Sequence, residues 1–128
     1  MSFYLDSSAI IKLIIEEKES KALRKALSGP LLTSTLARLE VLRVLDRIDS
    51  ELDKAGRSRL SELSMIEINQ SVLLIAENFR GIPHLRTLDS IHLASALTVR
   101  QELEAVVTYD KQMITAANYL GLDTISPA

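Results

Sequence analysis

The 128-residue chain has no cysteine and no tryptophan, few aromatics (4%), four glycines, three prolines and two histidines. Without cysteine there is no disulfide framework, no thiolate nucleophile and no cysteine-based zinc site. A bound metal would therefore be hard and oxygen-ligated, or held through His84 and His92. No apolar run approaches the roughly 18 residues that a membrane span needs. The start, Met1-Ser2-Phe3-Tyr4-Leu5-Asp6, lacks the basic flank and long apolar stretch of a signal peptide, so a cytoplasmic protein is expected. Charge of one sign is also lacking. The net charge of −2 argues against a broad basic grip on nucleic acid, but four carboxylates spent on a metal would turn −2 into +2.

The chain does have aliphatic residues in alternating patterns. Hydrophobic residues make up 47%, so the core is built from Leu, Ile, Val and Ala, enough for one domain over 1–128. Phe3-Tyr4-Leu5, Leu31-Leu32-Thr33, Met65-Ile66-Glu67-Ile68 and Ala105-Val106-Val107-Thr108 read as strands, with Asp123-Thr124-Ile125 as a short edge strand. Helical spacing follows each. Ile10, Ile11, Leu13 and Ile14 share a face, and a second helix over Ser20–Leu27 stops at Gly29-Pro30. A long helix capped by Ser34 or Thr35 runs to Leu52, Gly56 punctuates it, and Arg57–Leu63 forms a short helix. Asn69 caps a helix through Phe79, Arg80 to His84 form a loop, Thr87 opens a helix to about Arg100, and Asp110–Tyr119 is the last helix. Strand and helix alternate throughout, which predicts a mainly parallel sheet with helices on both faces. In such sheets function gathers beyond the carboxyl ends of the strands.

Four acids fall there. Asp6 follows the first strand and Asp110 the fourth. Glu40 lies in the second turn of the helix after strand two. Asp89 lies in a first helical turn, on the face of Leu93 and Ala96. Each has an ordinary alternative: an Asp at a helix start is a cap or dipole partner, and Glu40 can pair with Arg43 three residues on. Together, four carboxylates at one edge would repel one another unless a cation offset them. Two Mg²⁺-like ions about 3.5–4 Å apart could then activate water and stabilise a leaving oxygen in phosphodiester cleavage. Removing Asp6 or Asp89 is accordingly expected to leave the fold intact or more stable.

Four blocks carry a resemblance: Tyr4-Leu5-Asp6-Ser7-Ser8-Ala9-Ile10-Ile11-Lys12-Leu13, Ser34-Thr35-Leu36-Ala37-Arg38-Leu39-Glu40, Leu88-Asp89-Ser90-Ile91-His92-Leu93-Ala94-Ser95-Ala96 and Val106-Val107-Thr108-Tyr109-Asp110. With these, in this order, the whole chain resembles the PIN-domain family, and within it the VapC-type toxin ribonucleases of toxin–antitoxin pairs. The resemblance implies a three-layer α/β/α sandwich whose Asp6, Glu40, Asp89 and Asp110 hold one or two Mg²⁺ or Mn²⁺ ions. Ser7, Ser8 and Thr108 match hydroxyl positions that bond the acids or a phosphate. It further implies RNA hydrolysis by in-line attack of a metal-activated water, leaving a 5′-phosphate and a 3′-hydroxyl. A homodimer is implied as well, silenced by a VapB-like antitoxin that could lie along the apolar helices between Thr35 and Leu63. His92 reads as a buried structural histidine, and Arg38, Arg43, Arg80 and Arg86 as phosphate contacts or plain surface.

Other classes fit less well. A phosphoacceptor receiver needs an acidic pair after strand one and a lysine after the last strand. A phosphotransfer hydrolase needs an Asp where Ser8 stands, and a nucleotide-binding module wants a glycine-rich turn that is missing. A PIN-type RNA-processing nuclease and a non-catalytic acidic interaction module remain as alternatives.

Overall fold

A computed structural model describes residues 1–128. Five strands, β1 (Ser2–Leu5), β2 (Leu31–Ser34), β3 (Ser64–Ile66), β4 (Leu103–Val107) and β5 (Thr124–Ile125), form one sheet in the order β3-β2-β1-β4-β5. All four pairings are parallel. Seven helices connect them: α1 (Ser7–Ile14), α2 (Ser20–Ala26), α3 (Thr35–Ile48), α4 (Asp53–Leu60), α5 (Gln70–Glu77), α6 (Thr87–Thr98) and α7 (Lys111–Tyr119). None is long and apolar enough to cross a membrane.

The expected three layers follow from the two-residue period of the strands. Phe3, Leu5, Ala105 and Val107 point to one side, where they pack with Ala9, Ile10 and Leu13 of α1, Leu23 of α2, Ala37, Val41 and Leu45 of α3, and Leu60 of α4. Tyr4 and Val106 point to the other side, onto Leu93 and Ala96 of α6 and Met113, Ala116 and Ala117 of α7. Right-handed crossovers explain the sorting. The chain steps from β1 to β2 to β3 in one direction, then returns past β1 to β4 and β5, and the reversal moves its helices to the opposite face. The strand order therefore changes direction beside β1 and β4, and the loops after these two strands open at the switch point.

Several boundaries differ from the sequence reading. The long helix stops at Ile48, because the Asp49 carboxylate caps a 3₁₀ turn at Ser50–Leu52. Gly56 does not punctuate: it lies inside α4, which begins at Asp53. A Cβ at Gly56 would lie 2.3 Å from Leu45 Cδ1, so glycine is there to let α4 close on α3. The third strand is Ser64–Ile66 rather than Met65–Ile68. The helix from Thr87 ends at Thr98, followed by a 3₁₀ turn at Arg100–Glu102, and the last begins at Lys111 with Asp110 as its cap.

Candidate active site at the switch point

Asp6 leaves β1 as the N-cap of α1 and is almost wholly buried. Its amide still bonds Val107 O at 3.2 Å, so the residue continues the β1–β4 ladder while its side chain turns into the loop. Oδ1 accepts from Ser8 Oγ at 2.6 Å and from Ala9 N at 3.1 Å, and Oδ2 from Thr108 Oγ1 at 2.5 Å. Burial pushes the Asp6 carboxyl above its usual range, against these three donors. The Thr108 hydroxyl in turn accepts from Asp110 N at 3.1 Å, tying the two acids through one side chain.

Asp110 caps α7 through Oδ1, which accepts from Gln112 N at 2.8 Å and Met113 N at 3.3 Å. Asp6 and Asp110 are thus helix caps, as the ordinary reading has it, and each also lies close to the other acids. Asp89 caps nothing. Its Oδ2 is buried without a hydrogen-bond partner. Burial raises its carboxyl, the neighbouring charges of Asp110 and Asp6 add to the rise, and Arg86 and His92 partly offset it.

Glu40 does not pair with Arg43. Oε1 accepts from Ser7 Oγ at 2.6 Å and lies 2.7 Å from His92 Nε2, across the end of the sheet. Burial alone would raise this carboxyl, but the bonds from His92 and Ser7 outweigh it and hold it below its usual value. Ser7, Ser8 and Thr108 therefore each donate to a carboxylate of the group. Of the four arginines considered, only Arg86 comes within 4 Å of these acids. It lies with Nε 3.7 Å from Asp89 Oδ2 and Nη2 3.9 Å from Asp110 Oδ2.

The donor set suits a hard divalent cation. It is all oxygen, it is negative, and it includes a buried oxygen with nothing to bond. It is not a finished cage, however: no three acidic or imidazole side chains are grouped closely enough to hold an ion between them. The Arg86 guanidinium stands beside Asp89 and Asp110.

Sequence reasoning missed the link between His92 and Glu40. The available signal was its spacing of three from Asp89 on a helix otherwise lined with Leu93, Ala94 and Ala96, where an imidazole has no packing reason to be.

Comparison with known proteins points to one family. A family model of the PIN domain matches residues 3–119. Over 129 residues the chain is 43% identical to ribonuclease VapC46 of Mycobacterium tuberculosis (strain ATCC 25618 / H37Rv), covering 99% of this chain and 98% of that one. It is 37% identical over 131 residues to ribonuclease VapC47 of Mycobacterium tuberculosis (strain CDC 1551 / Oshkosh), with coverages of 97% and 96%. Among solved structures, a toxin–antitoxin complex from Klebsiella pneumoniae aligns with TM-score 0.77 at 22% identity, over 98% of this chain and 97% of that one. VapBC2 from Rickettsia felis, bound to a DNA fragment from its promoter, aligns with TM-score 0.75 at 14% identity over the full length of both chains. At such identities the two structures speak to the fold alone.

Proposed function

The chain belongs to the PIN-domain family, with VapC ribonucleases among its relatives, and from that premise we propose that it is a divalent-cation-dependent endoribonuclease, the toxin of a toxin–antitoxin pair. The observation that carries the reading is the bare, buried Oδ2 of Asp89 in the field of Asp110 and Asp6. A lone carboxylate oxygen without a donor is costly to bury, and a cation is the partner that removes the cost.

Asp6, Asp89 and Asp110 would hold Mg²⁺ or Mn²⁺, with Glu40 as a further ligand or as the group that assists deprotonation. When bound, the ion supplies Lewis-acid polarisation of a phosphoryl oxygen and lowers the pKa of a coordinated water. The chain's own residues prepare that chemistry. Ser8, Ala9 and Thr108 hold the Asp6 carboxylate in one orientation. The N-terminus of α7 fixes Asp110 through Oδ1. Ser7 and His92 fix Glu40 through Oε1. In-line hydrolysis at such a site leaves a 5′-phosphate and a 3′-hydroxyl on the RNA. Arg86, mostly exposed at the rim, is available to the phosphate backbone once a cation has taken over the charge of Asp89 and Asp110.

The proposed partners are RNA, a second copy of the chain and a VapB-like antitoxin, all met in the cytoplasm. Exposed Leu39, opposite the buried face of α3, supports an apolar contact with the antitoxin, and Leu73 and Leu74 on α5 and Leu88 on α6 are further exposed apolar side chains available for self-association.

Incubation of the purified protein with structured RNA and Mg²⁺ or Mn²⁺ tests the reading. Cleavage is expected with the ion, none in chelator, and none by Asp89→Ala, with circular dichroism unchanged in the variant. Full cleavage in chelator or by Asp89→Ala overturns it. Calorimetry with Mn²⁺ separates the nuclease from a non-catalytic module, which would bind no ion.

A further inference from the structure

Tyr4 has no exposed surface and lies in the middle of β1 on the α6 side of the sheet. Its hydroxyl is 2.7 Å from His92 Nδ1, and the two rings meet edge to face at 5.9 Å and 77°. His92 is itself buried on α6, and its other nitrogen reaches Glu40 of α3. A hydrogen-bonded chain of three side chains thus runs from the centre of the sheet to the acid group and joins the two helical layers. An apolar residue would fill the His92 position at less desolvation cost, so packing does not explain an imidazole there.

The donors and acceptors along this chain follow from chemistry. An ionised carboxylate only accepts, so both Ser7 and His92 Nε2 donate to Glu40 Oε1. The bond to Glu40 thus calls for a proton on Nε2, and a hydroxyl proton donated by Tyr4 would occupy the Nδ1 lone pair. Tyr4 keeps its hydroxyl proton, because burial raises its pKa well above the usual value. Near it, Thr33 Oγ1 donates to Leu5 O and Ser95 Oγ to Ile91 O, both at 2.7 Å, so neither gives its proton to the Tyr4 oxygen. Glu40 Oε1 thereby receives two donors, its full complement, while Oε2 receives none from the protein.

We propose that Tyr4 and His92 are positioning residues for Glu40: the Tyr4 hydroxyl locks the imidazole in its Nε2–H form, and that proton pins Oε1 so that Oε2 is the oxygen that works at the site. The inference rests on Glu40 belonging to the cleavage site. Its physical content is pre-organisation. A glutamate on a helix loses rotamer freedom when fixed, and here the fold fixes it before substrate arrives. A tautomer set by the partner on the far nitrogen is a known way to orient an imidazole and the group it bonds.

Two measurements test it. The first uses the protein alone, without RNA or cation: ¹⁵N spectra of the imidazoles at neutral pH, with the other histidine, the exposed His84, assigned through His84→Asn. The expected result is a proton on Nε2 of His92, a bare Nδ1, and loss of this single tautomer in Tyr4→Phe. A proton on Nδ1, protons on both nitrogens, or an unchanged spectrum in Tyr4→Phe overturns the proposal.

The second is a kinetic cycle. His92→Leu should lower kcat about 10- to 100-fold with KM for RNA little changed. His92→Gln, whose amide N–H replaces Nε2–H, should recover part of the loss. Tyr4→Phe, lacking one oxygen, should fold normally and show a smaller loss. In a Glu40→Gln background His92→Leu should cost nothing further, whereas an equal loss there marks a merely structural histidine and refutes the relay. The spectra need neither substrate nor ion. A protein that cut no RNA would overturn the nuclease reading, while the relay stood or fell on its resonances.

Discussion

Asp6 is buried and Asp89 partly so, and burial raises both carboxyl pKa values, yet they contribute differently to the fold. Asp6 ties three donors and caps α1, so Asp6→Ala removes a cap worth about 0.5–2 kcal/mol and leaves the Thr108 hydroxyl without its acceptor. Of the expected outcomes, an intact or a more stable fold, this geometry favours an intact fold without the gain in stability. Asp89 Oδ2 accepts no hydrogen bond and has only the exposed Arg86 guanidinium 3.7 Å away, so Asp89→Asn is expected to raise the melting temperature of the metal-free protein. The sign of the pH dependence follows. A carboxyl raised by folding contributes stability below its ordinary value, 3.8 for Asp, and loses that contribution as pH rises through the folded value. Glu40 is lowered, so its contribution is present above its ordinary 4.5 and lost as pH falls through a value beneath that. The two contributions have opposite signs: the raised carboxyls lose theirs as pH rises, and Glu40 loses its own as pH falls. Without metal, melting temperature should therefore rise as pH falls from neutral through the raised values of Asp6 and Asp89, and the rise should shrink in Asp89→Asn. A flat or falling profile in the wild type would contradict the burial argument.

Arg86 is the other residue whose role can be measured. It partly offsets the charge of Asp89 and approaches Asp110, so it competes with a cation for the same carboxylates. Exposed pairs are worth about 0.2–1 kcal/mol, and Arg86→Ala should tighten Mn²⁺ binding by roughly two- to fivefold by calorimetry, while weakening RNA binding. Weaker Mn²⁺ binding would mean that the guanidinium supports the site instead of guarding it.

At the scale of elements, the α3–α4 pair is set by Gly56. Its missing Cβ leaves room for Leu45, which is fully buried. Gly56→Ala would gain about 0.5–1 kcal/mol of helix propensity, but overpacking costs about 1–3 kcal/mol, so a net loss is expected in urea denaturation at unchanged m. A variant more stable than the wild type would show that α4 can yield. The same glycine shows where local sequence signals stop. In sequence it reads as a break, because glycine is poor in helices, and only the approach of Leu45 from another helix reveals a close contact. The boundary at Ile48 is similar. The apolar period continues to Leu52, but the Asp49 side chain bonds Glu51 N and turns the backbone first. Capping at Asn69, by contrast, was legible in full, since Asn69 Oδ1 accepts from Val72 N within its own segment.

For the whole molecule, the site depends on strands that are neighbours in space and far apart in the chain. Asp6 and Thr108 are separated by 102 residues and share a hydrogen bond, because the strand order reverses beside β1. A cation bound across such a site is linked to global stability. At a hundred times its Kd, Mn²⁺ should add about 2.7 kcal/mol, or on the order of 10 °C in melting temperature for a domain of this size. Asp89→Asn should lose most of that shift. An equal shift in wild type and variant would place the ion elsewhere.

Alternating strands and helices, the aliphatic core and the four acids beyond strand ends were readable from residue order alone, because hydrophobic period, capping and chain punctuation act over a few residues. So were the hydroxyls at Ser7, Ser8 and Thr108, through the blocks that resemble the PIN-domain family. What those acids touch was decided only in three dimensions. Glu40 faces His92 rather than Arg43, and Arg86 lies beside Asp89 and Asp110, because α3 and α6 belong to opposite layers that meet only at the sheet's carboxyl end. A charge finds its partner by distance through space. Local spacing can put a carboxylate on a helix face, but the packing of distant segments settles which donor stands opposite it.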